Sequence, residues 1–107
     1  MAAVTPEIER RARAAAQALG RQGVVRALYV FGSQVNGQAD RWSDIDLAAF
    51  MDGVESWDLW RRTRVIVEVQ REAGYDLEPH LFPSALLTNA GAGSFAAEVL
   101  LHGVRVL

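Results

Sequence analysis

Two aspartates separated by one isoleucine, Asp44-Ile45-Asp46, open an otherwise apolar run, Asp46-Leu47-Ala48-Ala49-Phe50. Residues i and i+2 of a strand point to the same face, so Asp44 and Asp46 are expected side by side. Two adjacent carboxylates repel unless something positive lies between them. Aspartate also has poor strand propensity, which argues against a purely structural reason for placing it there. A pair of hard oxygen donors suits Mg²⁺ or Mn²⁺. An EF-hand is excluded, because no glycine and no closing glutamate follow at the required positions. Upstream, with ten residues between, Gly32-Ser33 follows a strand-like run, Val24-Val25-Arg26-Ala27-Leu28-Tyr29-Val30-Phe31. Glycine there permits positive φ and close approach of a ligand to the backbone, and the Ser33 hydroxyl can donate to a phosphate oxygen. It is not a Walker loop, which needs a longer spacer and a lysine; the chain contains no lysine.

A third carboxylate is expected from a neighbouring strand. Tyr75-Asp76-Leu77-Glu78-Pro79-His80 offers Asp76, Glu78 and His80 on one face, with Leu77 and Leu81 on the other. His80 reads as a surface histidine or one standing behind the oxygen ligands rather than as a ligand itself. His102 suits the C-terminus of a helix and needs no chemical role. Trp42, Trp57 and Trp60 read as packing residues, although Trp42 adjoins the candidate site.

The elements that must position these residues are legible from punctuation and periodicity. Thr5-Pro6-Glu7 is a helix start, with a capping hydroxyl, proline at the first position and acid in the first turn. Ile8, Ala12, Ala15, Ala16 and Leu19 mark its buried face, and Gly20 its end. Strands are expected over 24–31 and 45–51. Ser56 is expected to cap a helix reaching about Ala73, with Leu59, Trp60, Thr63, Ile66, Val67 and Ala73 on its buried side. Residues 76–82 read as a third strand, and Pro79 assigns it to an edge or an early end of pairing. A short helix over 84–88, a helix capped by Ser94 and ending at Gly103, and a short return strand over 104–107 complete the order. Strands alternating with helices predict an α/β domain, α+β-like in proportions, with a small mixed sheet of three to four strands and helices packed against it.

Composition excludes several classes. The 107 residues are expected to form a single domain. Half are hydrophobic and 22% charged, which describes a globular chain rather than a disordered one. No apolar run approaches the roughly 20 residues of a membrane helix, and the N-terminus does not read as a signal peptide. Zero cysteines exclude disulfides and thiolate metal sites and agree with a cytoplasmic location. A net charge of −2 argues against an extensive nucleic-acid surface. The arginines cluster at Arg10, Arg11 and Arg13 and again at Arg61, Arg62 and Arg64. They read first as solvated helix faces, and alternatively as groups that meet a polyphosphate or an acidic partner.

Taken together, Gly32-Ser33, Gly37 and Ser43-Asp44-Ile45-Asp46-Leu47 resemble the signature of the nucleotidyltransferase superfamily that includes DNA polymerase β. The short chain resembles its minimal, MNT-type members of bacteria and archaea. The resemblance implies the nucleotidyltransferase fold, two Mg²⁺ or Mn²⁺ ions held by Asp44 and Asp46, and ATP as the nucleoside triphosphate donor with its β and γ phosphates on Gly32-Ser33. It also implies a third carboxylate binding the catalytic metal. Counting from the glycine before the third strand selects Glu78, the preferred position, while Asp76-Leu77 matches the family's local wording. A hydroxyl would attack the α-phosphorus and release pyrophosphate. Minimal members resemble antitoxins paired with HEPN-domain proteins, some of which receive AMP on a tyrosine, so a HEPN-type protein is the expected acceptor. The competing expectations are a non-catalytic nucleotide- or partner-binding subunit, and transfer to a small molecule with a homodimer supplying the missing wall.

Overall fold

Thr5 begins the first helix, α1 (Pro6–Gly20), by accepting a hydrogen bond from the Ile8 amide at 3.2 Å. Proline at the first position and Glu7 and Glu9 in the first turn complete a favourable N-terminus. The computed structural model describes residues 4–32 and 44–107. In it, α1 buries Ala12, Ala15, Ala18 and Leu19, while Ile8 and Ala16 pack at the margin of the core. The small side chains let the helix lie close to what it covers.

Among the described residues, four strands form one mixed sheet in the order β3-β2-β1-β4: β1 (Val25–Phe31), β2 (Ile45–Met51), β3 (Leu77–Pro83) and β4 (Val104–Arg105). β1 pairs antiparallel with β2 and with β4, whereas β2 and β3 run parallel. The parallel step requires a crossover, supplied by α2 (Leu59–Ala73). β3 lies at the edge, where Pro79 is tolerated. A short helix, α3 (Leu86–Asn89), and a longer one, α4 (Phe95–His102), follow. Ser94 caps α4 through the Ala97 amide at 3.1 Å.

Strand alternation divides the core in two. Leu28, Val30, Ile45, Leu47, Ala49, Met51 and Leu77 face α1 and the Val65 and Val69 side of α2. Ala27, Ala48 and Phe50 face the opposite way, toward Ala96 and Val99 of α4. The result is helix, sheet, helix. β2 is buried at every position except Asp46, which is half-buried.

α2 differs from the sequence expectation in its start and in its buried face. Ser56 lies in a 3₁₀ turn (Val54–Ser56), where its hydroxyl donates to the Gly53 carbonyl, and the cap is Asp58, which accepts from the Arg61 amide at 2.8 Å. Leu59 and Trp60 are 79% and 76% exposed and Val67 is also exposed, whereas Val65 and Val69 are buried. At about 100° per residue, Trp60, Thr63 and Val67 lie roughly opposite Val65, so one set can face the sheet only if the other faces away. Arg62 strengthens the observed choice: its guanidinium donates to the carbonyls of Val54, Trp57 and Leu81, which anchors the helix by a polar side chain. Arg62, like Arg11 below, therefore serves as a structural tie rather than as part of a solvated face.

Candidate active site

The end of β1 and the start of β2 meet at the half-buried patch. Phe31, the last residue of β1, is the cross-strand partner of Asp46, and Asp46 in turn registers with Glu78 of β3. The three residues share the face covered by α4, by strand alternation. Gly32 follows at φ +78°, a conformation that L side chains rarely adopt. A Cβ on Gly32 would stand 2.6 Å from Asp46 Oδ2. The glycine thus has a second requirement beyond its backbone angle: the Asp46 carboxylate rests directly against it.

Asp46 and Glu78 bring two carboxyl groups into contact. The Asp46 carboxylate, hydrogen-bonding to it, pushes the Glu78 carboxyl above the usual carboxylate range. Partial desolvation and the Asp46 charge push in the same direction, and His80 opposes them. His80 Nε2 lies 3.6 Å from Asp46 Oδ1, with the Asp46 side chain 24% exposed and that of His80 36% exposed. Above these residues an aromatic cluster forms a wall. Phe31 and Phe95 approach the His80 ring with centroids 5.3 and 5.5 Å away, and Phe95 also meets Phe31 and Phe82.

Asp76 does not share this face. The chain turns at Tyr75 and Asp76 before β3 begins at Leu77, and the turn breaks the alternation that the sequence suggested. Its carboxylate instead pairs with both terminal nitrogens of Arg11 from α1, and Arg11 Nε donates to the Ala73 carbonyl at 3.0 Å. Arg11 holds the Asp76 carboxyl below the usual range, first by hydrogen bonding and then by charge. Asp76 thus secures the end of α2 against α1, on the far side of the sheet from Glu78. Asp44 precedes β2 by one residue and is exposed. Ser33, Gly37, Trp42 and Ser43 lie outside the described residues. His102 ends α4, 3.5 Å from Glu98 one turn earlier.

Asp46 and Glu78 supply hard oxygens, and Glu78 retains its proton more strongly because the Asp46 carboxylate hydrogen-bonds to it and repels its charged form. A cation between them would relieve that repulsion, so the pair fits such an ion. Among the described residues, no group of three His, Asp and Glu side chains is already gathered around one point.

Sequence reasoning did not single out Phe31 or Phe95 as site residues. Phe31 carried a signal, since it immediately precedes the glycine turn and alternates with Tyr29. Phe95 carried none, because only the packing of α4 on the sheet brings it to the carboxylates.

The polymerase β nucleotidyltransferase family model matches residues 15–106, which include both strands of the site and β3. The chain belongs to this family. A crystal structure at 1.40 Å of a Sulfolobus solfataricus protein, provisionally classed as a nucleotidyltransferase, superposes with a TM-score of 0.52 at 16% identity. The match covers 98% of this chain and 89% of that one, and it shows a shared fold. No curated protein matches significantly. Among the described residues, no helix is long and apolar enough to cross a membrane.

Proposed function

We propose that the chain transfers a nucleoside monophosphate, AMP from ATP, to a hydroxyl of a partner protein. The observation that carries the reading is the contact of Asp46 with Glu78 beside the positive-φ Gly32, where a carboxylate pair stands against a glycine turn. Asp44, Asp46 and Glu78 would hold two Mg²⁺ or Mn²⁺ ions; when bound, these supply positive charge for the triphosphate and the attacking oxygen. Gly32 and Ser33 would receive the β and γ phosphates. The acceptor hydroxyl then attacks the α-phosphorus, its oxygen gains the phosphoryl group, and pyrophosphate leaves. Glu78 would be the carboxylate that takes the hydroxyl proton, as the resemblance to the family implies.

A HEPN-type protein, as in the toxin–antitoxin pairs of minimal family members, is the partner this reading favours, with the cytoplasm as the setting. The experiment is the double substitution Asp44→Asn with Asp46→Asn, assayed for Mg²⁺-dependent incorporation of labelled AMP into co-purifying proteins. Transfer is expected to vanish while the circular dichroism spectrum and melting temperature persist. Undiminished transfer in the double variant refutes the site. Nucleotide binding without transfer by the native protein, and no AMP adduct on its partner by mass spectrometry, identifies a non-catalytic subunit instead.

A further inference from the structure

His80 Nε2 is a buried nitrogen with no hydrogen-bond partner among the described residues. Buried polar atoms are usually paired, so one that is not calls for a physical reason. Among the described residues, the carboxylate oxygen that reaches it is Asp46 Oδ1 at 3.6 Å, a separation too long for a hydrogen bond and too short to admit a bridging water. The ring cannot swing freely, because Phe31 meets it at an interplanar angle of 59° and Phe95 at 89°. His80 registers with Ala48 across the strand pair, and that neighbour presents only a methyl group. The imidazole therefore leans along the diagonal to Asp46 rather than across to its direct neighbour.

From this placement we infer that His80 is a positioning residue, whose Nε2–H donates to Asp46 Oδ1 and thereby holds Oδ2 over Gly32. The proton belongs on Nε2 because an unprotonated nitrogen there would turn its lone pair toward a carboxylate oxygen. A small rotation of the carboxylate closes the remaining gap. Asp46 Oδ1 then faces His80 and Oδ2 rests against the glycine turn, with the Glu78 carboxyl hydrogen-bonded to the same carboxylate. Hydrogen-bonded neighbours of this kind orient metal-binding side chains, and their loss commonly weakens metal affinity about 10- to 100-fold. The inference rests on the proposed function for its consequence, while its geometry stands on the protein's own residues.

Two measurements separate these layers. In ¹⁵N-labelled protein without metal, long-range ¹H–¹⁵N correlation is expected to show His80 as the Nε2–H tautomer; an unprotonated Nε2 overturns the inference whatever the metal does. Mn²⁺ titration followed by electron paramagnetic resonance then compares wild type with His80→Phe and His80→Gln. His80→Phe keeps a ring between Phe31 and Phe95 and removes the donor, and is expected to weaken Mn²⁺ binding about 10- to 100-fold. His80→Gln restores an N–H donor and is expected to recover most of the loss, which a merely structural role for the ring would not produce. Wild-type affinity in His80→Phe, or equal losses in both variants, overturns the inference. Should the wild type take up no Mn²⁺, the proposed function fails while the tautomer still decides the role of His80.

Discussion

Replacing Gly32 with alanine tests the link between the glycine turn and Asp46, and a matched control is built into the chain. Gly32 has φ +78° and Gly53 has φ +75°, so alanine meets the same backbone penalty at both, about 1–2 kcal/mol. A Cβ at Gly53 would enter open space, whereas one at Gly32 would stand 2.6 Å from Asp46 Oδ2. Carbon contacts settle near 3.5 Å, so the carboxylate must retreat by about 1 Å. That retreat is inexpensive for a half-buried side chain, and the two variants should unfold within about 0.5 kcal/mol of each other, both roughly 5–10 °C below wild type. Activity should separate them. A displacement of about 1 Å at a reacting centre commonly costs about 100-fold, so Gly32→Ala should lose about that much transfer rate while Gly53→Ala keeps wild-type rates. Glu78 gives a readout independent of turnover: its raised pKa, followed by ¹³C chemical shift, should fall in Gly32→Ala as Asp46 withdraws and stay raised in Gly53→Ala. Indistinguishable rates and titrations would refute the claim that the glycine seats Asp46.

Other substitutions probe separate parts of the structure. Asp76→Asn should cost on the order of 1 kcal/mol, the upper range for an exposed ion pair, because Arg11 is the more buried partner. The Asp76 pKa is depressed in the folded state, so its stabilisation is present above the ordinary carboxylate range and is lost as pH falls through the folded value. Urea midpoints measured from pH 7 to pH 3 should therefore drop more steeply for wild type than for Asp76→Asn. The Glu78 pKa is raised, which reverses the sign: its contribution is lost as pH rises through the folded value, and Glu78→Gln should flatten that dependence while weakening Mn²⁺ binding. Val69→Ala should cost on the order of 2 kcal/mol by opening a cavity beneath α2, whereas Trp60→Ala should stay within about 0.5 kcal/mol in chemical denaturation.

Local chemistry explains why most elements were legible in the sequence. Thr5 and Ser94 mark helix starts by accepting from backbone amides three residues on, and Gly20 and Gly103 stand at helix ends, all within a few residues of the chain. The strand spans 24–31 and 45–51 were legible because a strand's period of two is a covalent property, whereas pairing register is what sets Leu28 and Val30 on one side of the sheet and Asp46 on the other. Asp44-Ile45-Asp46 after Gly32-Ser33 identified the family for the same reason: its signature is confined to one hairpin.

Tertiary structure decided what depended on contacts between distant segments. The apolar residues of α2 offered two faces, and the sheet chose Val65 and Val69 because Arg62 also needed the carbonyls of Val54, Trp57 and Leu81. Asp76 and Glu78 were equivalent in strand periodicity. Arg11, 65 residues away from Asp76, drew one of them to α1, and parallel pairing with β2 left Glu78 beside Asp46. The sequence by itself determined that Asp46 and Gly32 stand close together, since both lie on one hairpin. Only the packed molecule decided which further carboxylate, histidine and phenylalanines surround that pair, because their proximity comes from sheet order and helix docking, which no local pattern encodes.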